Sequence, residues 1–245
     1  MSKFTWSPHP TTVGEAPFCW YDANDDSSLT EESGSVCSEI RCKVGSGVNP
    51  VQATDVDRPD IVSNAVNGLQ VLEGTNAGAE FLQASFTDGF MPSSEPLEIF
   101  CVCQPRTPES IYKRLFIFHE DSPSQASVGG YFPNNSNLAD VSGSSGYYVA
   151  NTSLSLNTTY IISIRKYPTN LCQVYVNGAL ATVSSQIVWT YTNPGAGTLT
   201  LMNNKDGGPL NFVGYFCELL GYSGDDSTRR GWVNRYLANK WGVAI

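Results

Sequence analysis

The chain has 245 residues, with 22 Gly, 14 Pro, 11% aromatic and only 15% charged residues, and a formal net charge of −9. That balance argues against a nucleic-acid partner, which needs clustered Lys and Arg beyond short pairs such as Arg229-Arg230, and it disfavours an anionic membrane surface. No run approaches the roughly 18 apolar residues of a spanning helix, and heptads and solenoid-length repeats do not occur, so one β-rich domain is expected over residues 1–245.

In chain order, residues 1–17 carry Pro8, Pro10 and Pro17, whose fixed φ predicts an extended N-terminal arm. The opening Met1-Ser-Lys-Phe-Thr-Trp-Ser-Pro is polar and contains no apolar segment of signal-peptide length, so no secretory address is expected. Strand-like runs follow at 67–72, 97–103, 115–119 and 147–150. Between the last two lies the longest polar stretch, 125–146. Its Gly129-Gly130 and Ser142-Gly-Ser-Ser-Gly146 predict a mobile loop at the rim of the fold.

The last third is the most informative. Tyr160, Ile162 and Ile164 alternate with Ile161, Ser163 and Arg165, the pattern of a half-buried antiparallel strand over 160–166. Val174 and Val176 continue it in 172–176. Asn177-Gly178 then supplies the positive φ values of a type I′ turn, predicting a hairpin that returns through Leu180 and Thr182-Val183. Further strands are expected at 198–202 and 211–220.

Asp225-Asp226-Ser227 places cap oxygens and negative charge at the positive end of a helix dipole. Trp232, Val233, Tyr236 and Leu237 recur at three-to-four-residue spacing, and Gly242 is placed to stop the helix. The prediction is an amphipathic helix over 227–241 that docks on the strands through Trp232, Tyr236 and Trp241.

Seven cysteines are an odd number for a disulfide framework, and Cys101 and Cys103 share a strand face too far apart to bond. Cys37 with Cys42 is the one local pair to test; buried free thiols are the expectation. There is no Cys-x-x-Cys, and His9 and His119 stand apart from each other and from any cysteine cluster. Asp22-Ala-Asn-Asp25-Asp26 offers oxygens to calcium but lacks the spacing and bidentate Glu of a helix-loop-helix site. No metal and no cofactor is therefore expected, calcium being the one ion these carboxylates would suit. The patterns at Asn134, Asn151 and Asn157 match N-glycosylation acceptors but read as polar loops.

The order of motifs is more specific than any one of them. Trp20-Tyr-Asp22-Ala-Asn-Asp25 is followed by Arg41-Cys-Lys43-Val-Gly45-Ser-Gly47-Val-Asn49, Arg58-Pro59, Asn67-Gly68-Leu69 and Glu73-Gly74. This resembles the concanavalin A-like lectin/glucanase superfamily in its laminin-G-like form, found in bacterial and phage surface proteins. The second half is similar too, in Tyr175-Val-Asn-Gly178, in the strand from Gly214 to Tyr222 with Glu218 inside it, and in Tyr236-Leu-Ala-Asn-Lys240-Trp-Gly242. The resemblance spans nearly the whole chain and implies a two-sheet antiparallel β-sandwich of the jelly-roll type. Two departures are visible: Ile40 or Arg41 stands where the family has Trp, and Leu72-Glu73-Gly74 where it has Phe-Asp-Gly.

Glucan-cleaving members of that superfamily carry Glu-x-Asp-x-x-Glu on one strand, which aims two carboxylates into a groove. No such run occurs, since Glu98 and Glu218 each stand alone in sequence, and Glu218 is expected to meet a hydrogen-bond donor in a structural strand. Neither histidine lies near a nucleophile elbow, so the expectation is a protein without catalytic residues.

Two binding classes remain. In one, rim side chains recognise a glycan, with Tyr131, Asn134, Tyr147, Tyr148, Asn203, Asn204 and Asp206 as the candidates. In the other, the module docks onto a protein lattice. The resemblance implies a non-catalytic phage virion surface protein, capsid-decorating or tail-associated, with capsid or tail proteins and cell-surface glycans as partners. It would be made in the host cytoplasm without a signal peptide and be a homo-oligomer, a trimer on threefold positions of a shell. The alternatives are a stand-alone lectin-like adhesion module of a bacterium and a polysaccharide hydrolase.

Overall fold

The computed structural model describes residues 9–12, 14–45, 47–75, 79–87, 89–91, 95–107, 113–120, 127–132, 138–143, 146–151, 154–167, 172–181, 183–185, 196–203 and 211–245. Of 120, 127–128, 131–132, 138–143, 146–151 and 183–185 the backbone alone is described.

The first strands are β1 (Cys19–Asp22), β2 (Leu29–Glu32), β3 (Val36–Ile40), β4 (Asp60–Val66), β5 (Leu69–Gly74) and β6 (Leu82–Phe86). Next come β7 (Leu97–Pro105), β8 (Lys113–Glu120), β9 (Ser127–Phe132), β10 (Leu138–Gly143), β11 (Gly146–Asn151) and β12 (Tyr160–Lys166). The chain closes with β13 (Cys172–Val176), β14 (Ala179–Leu180), β15 (Val183–Ser185), β16 (Gly197–Leu201), β17 (Gly214–Ser223) and the helix α1 (Ser227–Trp241). Pairing is antiparallel throughout the named strands.

A ten-stranded sheet runs β14-β13-β12-β7-β17-β5-β4-β3-β2, with β1 added beside β17. A four-stranded sheet, β6-β16-β8-β9, faces it, and β10-β11-β15 form a third, smaller sheet. The expected two-sheet antiparallel sandwich is thus the fold. Between the large sheets lies a core that includes Leu72, Ile99, Cys101, Phe116, Phe118, Ile162, Ile164, Leu199 and Phe216.

A second core covers the outer face of the ten-stranded sheet. Phe100 and Val102 of β7, Ile161 of β12, Leu220 and Tyr222 of β17 and Trp20 of β1 meet Val233, Leu237, Ala238 and Trp241 of α1. The alternation in β7 and β12 therefore serves two interiors, one per face, and both strands are buried on both sides along most of their length. Asp226 caps α1, accepting from the backbone N–H of Thr228 (2.8 Å) and Arg229 (3.1 Å), and Gly242 ends it in the left-handed region at φ 70°. Trp241 is fully buried, whereas Trp232 sits half-buried on the flank with the Arg235 guanidinium 4.5 Å above its ring. The burial expected of Trp232 falls to Val233 and Leu237.

The Asn177-Gly178 turn forms as predicted, with φ of 51° and 79°. Asn67-Gly68 repeats the device between β4 and β5, at φ 50° and 75°, so the strand expected from Asn67 begins at Leu69. The Asn67 side chain also donates from Nδ2 to the carbonyl of Lys240 (2.8 Å), tying the end of α1 to that turn. Two expectations need correction. Residues 125–146 hold β9 and β10 where a loop was predicted, because Gly129 and Gly130 are needed for contact and not for turning. A Cβ on Gly129 would fall on the carbonyl oxygen of Phe116, and one on Gly130 would stand 2.9 Å from the Phe116 ring. The described part of the N-terminal arm is not extended: Pro10–Thr12 form a 3-10 turn, Pro10 is buried, and its carbonyl accepts from Tyr222 Oη (3.3 Å).

All seven cysteines are free thiols, six buried and Cys42 half-buried. Among the described residues no helix is long and apolar enough to cross a membrane.

Candidate functional site: a polar cleft at one end of the sandwich

Among the described residues, two of the places that concentrate polar side chains behave differently. The first lies under α1. A β-bulge at Cys217 in β17 shifts the register between Phe216 and Glu218, so that Glu218 turns toward the helix and not into the inter-sheet core. There Oε1 accepts from Trp20 Nε1 (2.7 Å) and Tyr236 Oη (2.9 Å), while Oε2 accepts from Lys240 Nζ (2.8 Å) and Trp241 Nε1 (2.7 Å). The carboxylate is 0% exposed with all its acceptor sites filled. Burial raises its pKa, and the Lys240 ammonium opposes that rise.

Asp22, the register partner of Glu218 on β1, shares Lys240 (2.7 Å) and also meets Lys43 Nζ (3.1 Å), which reaches Asp25 (2.6 Å) and lies 4.4 Å from the Trp20 ring. The expectation that Glu218 faces a donor is met fourfold. Asp22 and Glu218 are close carboxylates, but they sit side by side under a helix and not across an open groove. With every oxygen of Glu218 engaged and α1 overhead, this cluster fastens the helix to β1 and β17. Likewise Arg58 of the Arg-Pro pair donates to the carbonyls of Gln52 (2.9 Å) and Ala53 (3.1 Å), a loop-holding role.

The second place is a cleft of about 470 Å3 at the sandwich end where β5 and β7 finish and β12 and β17 begin. Glu73, Thr75, Arg106, Thr107, Asn157 and Val213 line it. Gly74 forms its floor, because a Cβ there would fall on the carbonyl oxygen of Phe212. The Arg106 guanidinium lies 4.7 Å from the Tyr215 ring, pairs through Nη1 with Glu73, and donates from the same nitrogen to Tyr215 Oη (2.9 Å). Asn157 is held at φ 55°, its N–H donating to the Pro105 carbonyl (2.8 Å), so its exposed side chain stands at the mouth.

Beneath the cleft is a buried polar network. Thr75 Oγ1 donates to Glu80 Oε1 (2.5 Å), and Asn211 Nδ2 donates to Glu80 Oε2 (2.9 Å) and to the Thr75 carbonyl (2.5 Å). Because this network is internally satisfied, it supports the lining and leaves recognition to the layer above. In that layer the side chains of Asn157 and Thr107, with Nε and Nη2 of Arg106, have no hydrogen-bond partner among the described residues.

The residues named from sequence are divided by this geometry. Asn203 follows β16 at the cleft end and is fully buried. The backbone of Tyr131 pairs with Arg114 near that end, whereas Tyr147 and Tyr148 pair with Ser142 and Val141, toward the Gly143–Gly146 end of β10 and β11. Asn134, Asn204 and Asp206 lie outside the described residues. Arg106, Thr107, Asn157 and Tyr215 were missed, since they come from three separate segments, at 106–107, 157 and 215, and only the convergence of strand ends unites them. Glu73 was visible only as a departure from a family motif, and Asn157 only as a glycosylation-like pattern. Among the described residues no three His, Cys, Asp or Glu side chains are grouped to hold a metal.

No protein-family model matches the chain, and no curated protein matches it in sequence. Solved structures match in fold. The Trypanosoma rangeli sialidase in complex with sialic acid superposes at TM-score 0.58 and 12% identity, covering 91% of this chain and 33% of the sialidase. Domain 4 of AbnA, an extracellular GH43 arabinanase from Geobacillus stearothermophilus, in complex with arabinotriose, superposes at 0.52 and 13% identity, covering 85% and 92%. The enzymatically active domain of bacteriophage CBA120 tailspike protein 2 superposes at 0.51 and 13% identity, covering 73% and 29%. The chain spans about a third of the sialidase and less of the tailspike domain, and the shared property is the β-sandwich itself.

Proposed function

We propose that the protein is a non-catalytic glycan-binding β-sandwich that serves on the surface of a phage virion, as capsid decoration or as part of the tail, with the cleft at Arg106 and Asn157 as its ligand site. The observation that carries the reading is the set of donors and acceptors on Arg106, Thr107 and Asn157 that are unengaged among the described residues, lining one cleft whose Arg106 lies 4.7 Å from the Tyr215 ring, above a network that is already satisfied. Small clusters of placed polar groups beside an aromatic face are what a polyhydroxylated ligand needs. Support for the fold-level part comes from the arabinanase domain bound to arabinotriose and the phage tailspike domain, which share the architecture.

The non-catalytic part of the reading rests on Asp22 and Glu218. These neighbouring carboxylates are committed to Lys240, and Glu218 also to two indoles and a phenol. Binding of this kind needs no cofactor. On this reading the partners are capsid or tail proteins and host glycans, the assembled form is a homo-oligomer, and the protein reaches the virion from the host cytoplasm. A bacterial adhesion module with the same cleft is the second reading, favoured by the arabinanase domain, which the chain covers almost end to end.

Glycan-array binding with and without calcium, together with native mass, tests the proposal. Saturable binding that Asn157→Gly weakens supports it. Release of reducing sugar from a polysaccharide panel overturns the non-catalytic part, and binding to purified capsids without any sugar binding overturns the glycan part.

A further inference from the structure

We propose that the cleft selects neutral, hydroxyl-rich sugars and discriminates against carboxylated ones, an inference that rests on the glycan-binding reading of the same site. Arg106 is the one cation among the described lining residues, and its charge is already met by Glu73. Its Nη1 is divided between Glu73 and Tyr215 Oη and its Cζ lies 4.7 Å from the Tyr215 ring, so Nε and Nη2 remain as donors whose positive charge is locally balanced.

Negative charge outweighs positive around it. Asp60 on β4 is the register partner of Glu73, and Glu80 lies close enough to Asp60 to raise its pKa, second to burial. The further cation Lys113 is buried in the network beneath, its Nζ 3.5 Å from Asn211 Oδ1, so a sugar carboxylate brought here would face Glu73 and Asp60 at like charge, on a chain whose net charge is −9.

Hydroxyl groups fit this inventory. Each donates and accepts, and the site offers the N–H donors on Nε and Nη2 of Arg106, an amide on Asn157 that does both, a hydroxyl on Thr107 that does both, and the carboxylate of Glu73 as acceptor. A carboxylate could satisfy only the donors.

The test is calorimetric titration of the full chain with neutral arabino-, xylo-, gluco- and manno-oligosaccharides, and with 3′-sialyllactose and oligogalacturonate as carboxylated probes. A neutral probe is expected to bind at least about tenfold more tightly than either carboxylated one, and Arg106→Ala to lose about tenfold or more of that affinity. Glu73→Gln, which unmasks the guanidinium charge, is expected to improve carboxylated binding about tenfold and so narrow the gap. Asp60→Asn, at an exposed position, should move the ratio in the same direction should Glu73→Gln fail to fold. Wild-type preference for a carboxylated probe, or an unchanged ratio in both variants, overturns the selectivity while leaving glycan binding intact. Absence of binding to every probe by wild type and variants overturns the glycan reading and this inference with it.

Discussion

Asp22 on β1 and Glu218 on β17 are register partners, and their carboxylates share one ammonium, Lys240 Nζ, at 2.7 and 2.8 Å. Two negative groups are tolerated side by side because Lys240 and Lys43 meet them, and because Trp20, Tyr236 and Trp241 occupy the remaining oxygens of Glu218. The cluster joins β1, the Lys43 segment, β17 and α1, and a tryptophan and a lysine enter it from each end of the chain.

Glu218→Ala should therefore destabilise the protein by about 3–5 kcal/mol, since it leaves two indole N–H groups and the Tyr236 hydroxyl without their acceptor and takes from Lys240 one of its two carboxylates. Glu218→Gln should cost nearly as much, because its amide N–H2 would point at a donor. Urea unfolding followed by tryptophan fluorescence measures both, and a Glu218→Gln protein as stable as wild type would refute the clip.

Asp25 supplies the pH dependence. Its pKa is held below the usual 3.8, first by Lys43 and then by Ser27. A depressed folded pKa means that the folded state releases the proton more readily than the unfolded chain. The contribution is complete above about pH 4 and is lost as pH falls through the lower folded value. Asp25→Asn should cost about 1 kcal/mol at pH 7 and flatten the acid limb of a stability-against-pH curve.

Glycines at 74 and 178 should separate fold from site. Gly178→Ala places a Cβ at φ 79° with open space around it, and should cost about 1–2 kcal/mol while ligand binding is unchanged. Gly74→Ala drives a Cβ into the Phe212 carbonyl on the cleft floor, and should cost about 1–3 kcal/mol and also reduce binding. Thermal melts and titration on both proteins report the difference.

At the mouth of the cleft, Asn157→Gly keeps the backbone at φ 55° while removing the amide. Stability should change by less than about 0.5 kcal/mol, and neutral-sugar affinity should fall about three- to tenfold. An unchanged affinity would move the ligand site away from this rim.

Much of the fold was legible because its signals are local. The period-two pattern of 160–166 and 172–176 gives strands with the expected bounds, and Asn177-Gly178 carries its turn chemistry in two residues. The Asp226 cap and Gly242 stop likewise bound α1 where expected. Where a residue's role depends on a partner across the fold, the local signal misleads. Gly129-Gly130 reads as a loop until the Phe116 ring is placed against it, and Trp232 reads as core until Val233 and Leu237 are seen to be the buried side chains there.

By itself, then, the amino-acid order determined the strand character, the hairpin turn and the terminal helix, because periodicity and turn chemistry act between near neighbours, while the antiparallel sandwich was expected from the resemblance that the order of motifs carries. Tertiary structure alone decided that Glu218 turns outward at a bulge to hold α1. It alone decided that Arg106, Thr107 and Asn157 meet beside Tyr215, because strand ends from distant segments converge there and no spacing along the chain encodes that distance.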